Sequence, residues 1–165
     1  MAVVNTKATA VSNADATPIV ITNRIITRGP SFVACGTVEV AAADDDGSVF
    51  RFARLPSNAR ITSIVRFNDA ITAGTAYEIG LHQTAANGGA AADADLFATT
   101  VDLSTASVVG VESRFEAANI DGIEKRLWEL LGLTADPRVD YDLTFTGTTV
   151  GTAAGTISVE VRYTV

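Results

Sequence analysis

The chain has 165 residues, of which 47% are hydrophobic, and it carries a formal net charge of −7 at pH 7. This length is typical of one domain, and the acidic charge, with arginines spread along the chain, argues against a nucleic-acid-binding protein. No stretch approaches the roughly 20 apolar residues of a membrane helix, so the sequence predicts neither a nucleic acid nor a membrane as partner.

The N-terminal residues, 1–16, are small and polar, with a few β-prone valines. They lack the apolar mass to pack firmly. We therefore predict an extended N-terminal arm or first edge strand over 1–16, followed by a single β-sandwich domain over 17–165. No apolar signal-peptide core follows Lys7, so we expect synthesis in a cytoplasm.

The first clear strand is predicted at residues 17–27. Ile19, Ile21 and Ile25 are spaced to share one face of such a strand, and an Arg-Gly-Pro sequence at 28–30 ends it.

Further strands are predicted between residues 31 and 81. They cover 31–40, the residues around Phe50 and Phe52, 59–68 and 76–81. The acidic sequence at 44–47 is a predicted turn, and a Leu-Pro-Ser-Asn sequence at 55–58 ends the second of these strands. The period-two alternation in 59–68 predicts one face formed by Ile61, Ser63, Val65 and Phe67.

The middle of the chain is harder to assign. Residues 83–94 have no apolar periodicity and are predicted to form an exposed loop, which in a compact domain is usually functional or disordered. Residues 96–104 fit a short strand or a helical turn, and 108–118 remain ambiguous.

One short helix is predicted, at about residues 122–131. Its apolar stripe consists of Ile120, Ile123, Leu127, Leu130 and Leu131. Asp121 and Glu124 are placed to form a capping box, and Gly132 suits the position after the last turn. We interpret the stripe as core against a sheet, with a partner groove as the alternative.

Two strongly alternating runs, 141–145 and 157–165, end the sequence. The Gly/Thr/Ala-rich residues 147–155 between them predict a hairpin with a flexible tip. Many short strands, frequent turns and one helix indicate an all-β protein, an antiparallel β-sandwich of jelly-roll type.

Catalytic chemistry finds little support in the sequence. His82 is the only histidine, and no nucleophile motif accompanies it, so we interpret it as structural. Cys35 is the only cysteine; no intramolecular disulfide can form, and its apolar surroundings predict a small buried side chain.

Metal, sugar and phosphate sites are no better supported. The acids at 44–46 are adjacent rather than alternating as in calcium loops, so we predict a solvated turn. Asp93 and Asp95 alternate but lack a glycine turn, and a pair of glycosidase carboxylates remains open because such residues meet only in the fold. The glycines of 147–155 are not followed by the lysine of a P-loop. We predict no catalytic, cofactor-binding or metal-binding residue, and no enzyme.

Residues 51–82 carry the most specific pattern. It comprises a Leu-Pro corner ending in Ala-x-Ile at 55–61, an Asp-Ala-Ile-x-x-Gly-Thr turn at 69–75 and a Tyr-x-Ile-Gly-Leu strand at 77–81. In these motifs the chain resembles the head-stabilising (cement or decoration) proteins of tailed bacteriophages.

This resemblance implies a jelly-roll protein that forms a homodimer or homotrimer and binds the outside of a phage capsid. It would clamp neighbouring copies of the major capsid protein and be found on the virion exterior after synthesis in the bacterial cytoplasm. The arm (1–16), the loop (83–94) and the tip (147–155) are then the candidate contact surfaces.

Two other functions stay open. One is a carbohydrate- or receptor-binding β-sandwich module of a phage fibre or tail, which exposed aromatic side chains around a concave face would support. The other is a hydrolase on a jelly-roll scaffold, which would need acids and His82 in one cleft.

Overall fold

The computed structural model describes residues 6–23, 29–117 and 122–165. Its strands are β1 (Ser31–Val40), β2 (Val49–Pro56), β3 (Arg60–Asn68), β4 (Ala76–Gln83), β5 (Ala91–Val101), β6 (Ser107–Glu112), β7 (Asp140–Thr149) and β8 (Gly155–Thr164). Two short helices, α1 (Thr9–Ala14) and α2 (Leu127–Leu130), and a 3-10 turn at Ala85–Asn87 accompany them.

The strands form two four-stranded antiparallel sheets. Sheet I has the order β1-β8-β3-β6, and sheet II has the order β2-β7-β4-β5. Among the described strands, only β4 and β5 are neighbours both in the chain and in a sheet; at every other connection the chain crosses to the opposite sheet. This is the strand order of a jelly roll, and the predicted fold class is confirmed.

The core lies between the sheets and follows from side-chain alternation. On β8, Ile157, Val159 and Val161 point inward and are at most 3% exposed, because successive residues of a strand face opposite sides. Phe52 and Phe145 meet in the centre, with ring centroids 4.9 Å apart.

The predicted hairpin at the end of the sequence is wrong. β7 belongs to sheet II and β8 to sheet I, so residues 150–154 cross between the sheets. Alternation of apolar and polar residues identifies the buried face of each strand. It does not show to which of the two sheets the strand belongs.

The predicted face of β3 is also wrong in part. Ile61 and Ile64 are both fully buried, although they are an odd number of residues apart. The register against β8 shifts between Ile61 and Ser63, and such a β-bulge turns the strand over. Val65 and Phe67 consequently lie on the outer face of sheet I.

The N-terminal region differs from the prediction. Residues 9–14 form α1 rather than extended chain, and residues 17–23 form no strand; residues 24–28 of the predicted strand lie outside the described residues. The segment folds back on α1, since the Val20 amide donates to the Asn13 carbonyl at 3.1 Å. The division into an arm and a sandwich domain stays a prediction.

The short helix is present but begins later than predicted. α2 covers only Leu127–Leu130, and the Glu129 side chain accepts from the Arg126 amide at 2.7 Å. The Leu127 amide donates to the carbonyl of Ala59 at 2.8 Å, which ties the start of the helix to the end of the sandwich. Ile120 and Asp121, the start of the predicted stripe and its cap, lie outside the described residues.

The middle of the chain is more regular than expected. β5 starts at Ala91, so the loop is shorter than 83–94. It includes most of 96–104, the residues for which a short strand and a helical turn were both open. The ambiguous residues 108–118 contribute the greater part of β6.

Candidate functional site and exposed surfaces

His82 lies on the outer face of sheet II, yet it is only 6% exposed. Its Nδ1 is 2.8 Å from Oγ1 of Thr144. Burial, and then the nearby positive charge of Arg51, lowers the pKa of His82 below its ordinary value of 6.5. The side chain is thus a neutral hydrogen-bonding group within the fold, in agreement with the structural interpretation.

Next to His82, a buried carboxylate holds two arginines. Arg51 and Arg54 each donate to Asp142 at 2.9 Å. Burial alone would raise the pKa of Asp142, but the hydrogen bonds and charges of Arg54 and Arg51 outweigh it and hold this pKa below 3.8. The cluster is an ion pair at every pH near neutrality.

Arg51 also fixes the loop that precedes β5. Its guanidinium donates to the carbonyls of Gln83 and Gly89, both at 3.0 Å. The loop proposed as a contact surface therefore has a defined shape, held by two hydrogen bonds from one side chain.

The start of β5 explains why an outer face is buried here. A Cβ atom placed on Gly80 would lie 2.2 Å from the Asp93 carbonyl oxygen, so β5 passes directly over this glycine. Gly80 and Thr144 are paired in the sheet register, and Thr144 is fully buried. The start of β5 therefore covers the outer face of sheet II at Gly80, beside Thr144 and His82.

Asp93 and Asp95 lie on β5 rather than in a loop. Burial, followed by the hydrogen bond and the negative charge of Asp95, raises the pKa of Asp93. Within the described residues, no group of three or more His, Cys, Asp or Glu side chains is arranged to hold a metal ion.

The acids at 44–46 cap backbone amides, as expected of a turn. Asp44 accepts from the Ala41 amide at 2.8 Å, and Asp46 accepts from the Val150 amide at 2.9 Å. The turn prediction is confirmed.

Cys35 is exposed, and the prediction of a buried side chain is wrong. The register of β1 against β8 pairs Cys35 with Glu160 and Thr37 with Ser158, which places these side chains together on the outer face of sheet I. Because residues 32–35 are all apolar, the sequence did not show that inward and outward side chains alternate there.

The predicted tip, 147–155, is anchored rather than free. Val150 is 1% exposed, and its carbonyl accepts a 2.7 Å hydrogen bond from the Tyr77 hydroxyl. The Thr152 amide donates to the Thr72 carbonyl at 2.9 Å. Outward-facing threonines at 148, 149 and 152 remain exposed.

Arg114 is a buried cation that the sequence did not single out. It is fully buried, donates to the Gly122 carbonyl at 3.1 Å, and has its guanidinium 4.1 Å from the ring centroid of Phe115. Burial lowers its pKa to about 10. Arg114 stays charged near neutrality and ties the turn after β6 to the start of the α2 region.

Two sets of apolar side chains are strongly exposed. One is Ile19, Val20 and Ile21, at 71%, 50% and 93% exposure, and the other is Val108 and Val109, at 83% and 88%. The sequence analysis did not predict the exposure of the second set. The one signal for it was the Val-Val-Gly sequence at 108–110, which lies in a stretch left unassigned. Exposed contiguous apolar residues mark interaction surfaces.

The exposed aromatic side chains do not form one platform. Among the described residues they are Phe32, Phe67 and Phe115, which lie on β1, on β3 and after β6. The described residues also contain no helix that is long and apolar enough to cross a membrane.

The fold has likenesses among phage capsid structures. A chain in the capsid of Ralstonia phage GP4 superposes with a TM-score of 0.58 at 12% identity, over 82% of this chain and 84% of that one. A chain in the capsid asymmetric unit of cyanophage Pam1 gives a TM-score of 0.45 at 13% identity, over 83% and 86%. No protein-family model and no curated protein matches the sequence.

Proposed function

We propose that this chain is a structural virion protein of a tailed phage, which binds the outside of the capsid and clamps neighbouring major capsid proteins. The observation that carries this proposal is the likeness of the sandwich to a chain in a phage capsid over 82% of its length. The motifs of residues 51–82 support it independently, because they point to head-stabilising proteins from sequence alone.

The proposed mechanism is the addition of interface area without catalysis. Each copy would contact more than one capsid protein, and many copies on one lattice would hold firmly even where single contacts are weak. The burial of His82, which is 6% exposed, supports a non-enzymatic role, since a general base must reach its substrate.

We propose that the chain acts as a homodimer or homotrimer and contacts the shell through its arm (1–16), its loop (83–94) and the 147–155 connection. The loop and the connection suit this role because their backbones are held by Arg51 and Tyr77. Preformed surfaces lose less conformational entropy on binding.

Copy number in purified particles tests the proposal. A clamp protein should be present in hundreds of copies, in a fixed ratio to the major capsid protein, and should be cleaved by protease added to intact particles. A handful of copies would instead support the fibre or tail alternative, and absence from the particle would refute a virion role.

A deletion tests the arm. Removal of residues 2–16 should abolish binding to particles that lack the protein, while the far-ultraviolet circular dichroism of the sandwich is unchanged. A variant in which these residues are replaced by a Gly/Ser linker of equal length is the control for length alone. Binding retained by both variants would refute the role of the arm.

A further inference from the structure

At the β6 edge of sheet I, an irregularity in the strand pairing exposes two apolar side chains. β6 is an edge strand, and its register against β3 pairs Arg66 with Val111 and Asn68 with Ser107. Residues 108–110, which we call the β6 bulge, have no described partner on β3. A Cβ atom on Gly110 would lie 2.7 Å from Val65, so the chain at 110 lies close against β3 while the two valines before it project outward.

The segment 18–23 has the opposite feature, a strand-forming sequence without a strand. Its three consecutive β-branched residues, Ile19, Val20 and Ile21, favour extended structure in a sheet. No residue between 6 and 23 is buried, and Ile21 is 93% exposed. A β-prone segment of this kind is suited to pairing with a sheet edge of another molecule.

The segment and strand β6 match in length, and a cation follows the segment in the sequence. The segment has six residues, as does β6, so both extend about 20 Å as strands. Three acids, Asp102, Glu112 and Glu116, line the groove between β5 and β6 together with one cation, Arg66, so the groove is net acidic. The segment itself is uncharged, but Arg24 follows it directly in the sequence, and a cation next to the segment would complement an acidic groove.

We infer that residues 18–23 of one copy add as a strand to the free edge of β6 in a second copy of this chain. The inference rests on the homo-oligomer part of the proposed function and locates the contact. Ile21 and Val109 are too exposed to pack on each other within one chain, whereas pairing between copies covers both apolar surfaces at once. Backbone hydrogen bonds along the edge supply the rest of the contact.

Sedimentation velocity of the purified protein tests the contact. Ile21→Lys and Val109→Lys should each weaken self-association by at least ~30-fold, as expected for central interface residues. Val33→Lys is the matched control, because Val33 is 56% exposed but lies on the outer face of β1. The inference would be overturned if the unmodified protein is monomeric at roughly 100 μM, which is far above the Kd of ordinary specific complexes. It would also be overturned if Val33→Lys weakens self-association as much as the two test variants do.

Disulfide trapping tests the pairing itself. In a Cys35→Ser background, chains carrying Ile21→Cys are mixed with differently tagged chains carrying Val109→Cys and oxidised. The mixed dimer should form, whereas Thr37→Cys in place of Val109→Cys should give none. Absence of the mixed dimer, or equal trapping by Thr37→Cys, would place the contact elsewhere and overturn the inference.

These experiments use only the purified protein, so they separate the two proposals. If the protein binds particles but does not associate through β6, the inference fails and the capsid proposal stands. If it associates through β6 but is absent from particles, the inference stands and the capsid proposal fails.

Discussion

Single side chains hold the connection between β7 and β8 in place, and Tyr77 is one of them. Its hydroxyl donates to the buried Val150 carbonyl, and burial, with the charges of Asp44 and Asp46, raises its pKa to about 12. We expect Tyr77→Phe to lower the free energy of unfolding by about 1–2 kcal/mol, because the carbonyl then stays buried without a donor. Urea denaturation measures this loss.

Tyr163→Phe is the control for Tyr77→Phe. Tyr163 is only partly buried and stacks on Phe32 with ring centroids 5.6 Å apart, a contact that the substitution preserves. An equal loss of stability in both variants would show that the hydrogen bond to Val150 does not matter.

His82 makes stability depend on pH. Its folded-state pKa is lowered from 6.5 by burial and by Arg51, so the unfolded chain binds the proton more readily. Its contribution to stability is complete above pH 6.5 and is lost as the pH falls towards the folded-state pKa. We predict that the free energy of unfolding decreases below pH 6.5 and that His82→Gln flattens this decrease.

Asp142 also faces His82, but it titrates in a separate range. Its pKa is held below 3.8, so its contribution is lost only under more acidic conditions. An unfolding free energy for His82→Gln that still falls by the same amount just below pH 6.5 would contradict the assignment to His82.

Among the elements, the loop before β5 depends on one arginine. Arg51→Ala removes the bonds to the Gln83 and Gly89 carbonyls, so amide hydrogen exchange in residues 84–90 should become faster. Arg54→Ala removes a bond to the same Asp142 carboxylate but none to the loop, and should leave this exchange unchanged. Similar acceleration in both variants would mean that the ion pair, rather than the loop bonds, orders the segment.

The elements with strict alternation were predictable from sequence, and those with inserted residues were not. β8 alternates as predicted from Ile157 to Val161, whereas the β3 bulge after Ile61 places Ile64 on an unexpected face. Residues 17–23 satisfy a strand pattern, but they pair with no strand among the described residues, which the pattern alone could not show. The β6 bulge was unpredictable for a related reason, since its exposure follows from a gap in the pairing with β3.

At the scale of the whole molecule, sheet I depends on β8, which lies between β1 and β3. We predict that a chain ending at residue 154 does not fold, because β1 and β3 then lose their shared partner and the buried face of β8. The deletion of residues 2–16 should leave the thermal unfolding transition intact, since no residue of α1 is buried. A cooperative transition in the chain ending at 154 would contradict this account.

The fold class could be predicted from local patterns, but the arrangement of the strands could not. Local alternation shows that β7 and β8 each bury one face, yet their assignment to opposite sheets depends on pairings across most of the chain. Thr37 and Ser158, for example, meet through hydroxyls 2.8 Å apart. No candidate site emerged from sequence motifs for the same reason, because the exposed surfaces are defined by what the fold leaves uncovered.

The position of β8 between β1 and β3 also has a consequence during translation. β1 and β3 leave the ribosome long before β8, and until then sheet I cannot close. The nascent chain carries unpaired strand edges throughout this period, the condition in which chains aggregate. The yield of folded protein should therefore depend on temperature and chaperone supply during synthesis more than on the stability of the finished sandwich.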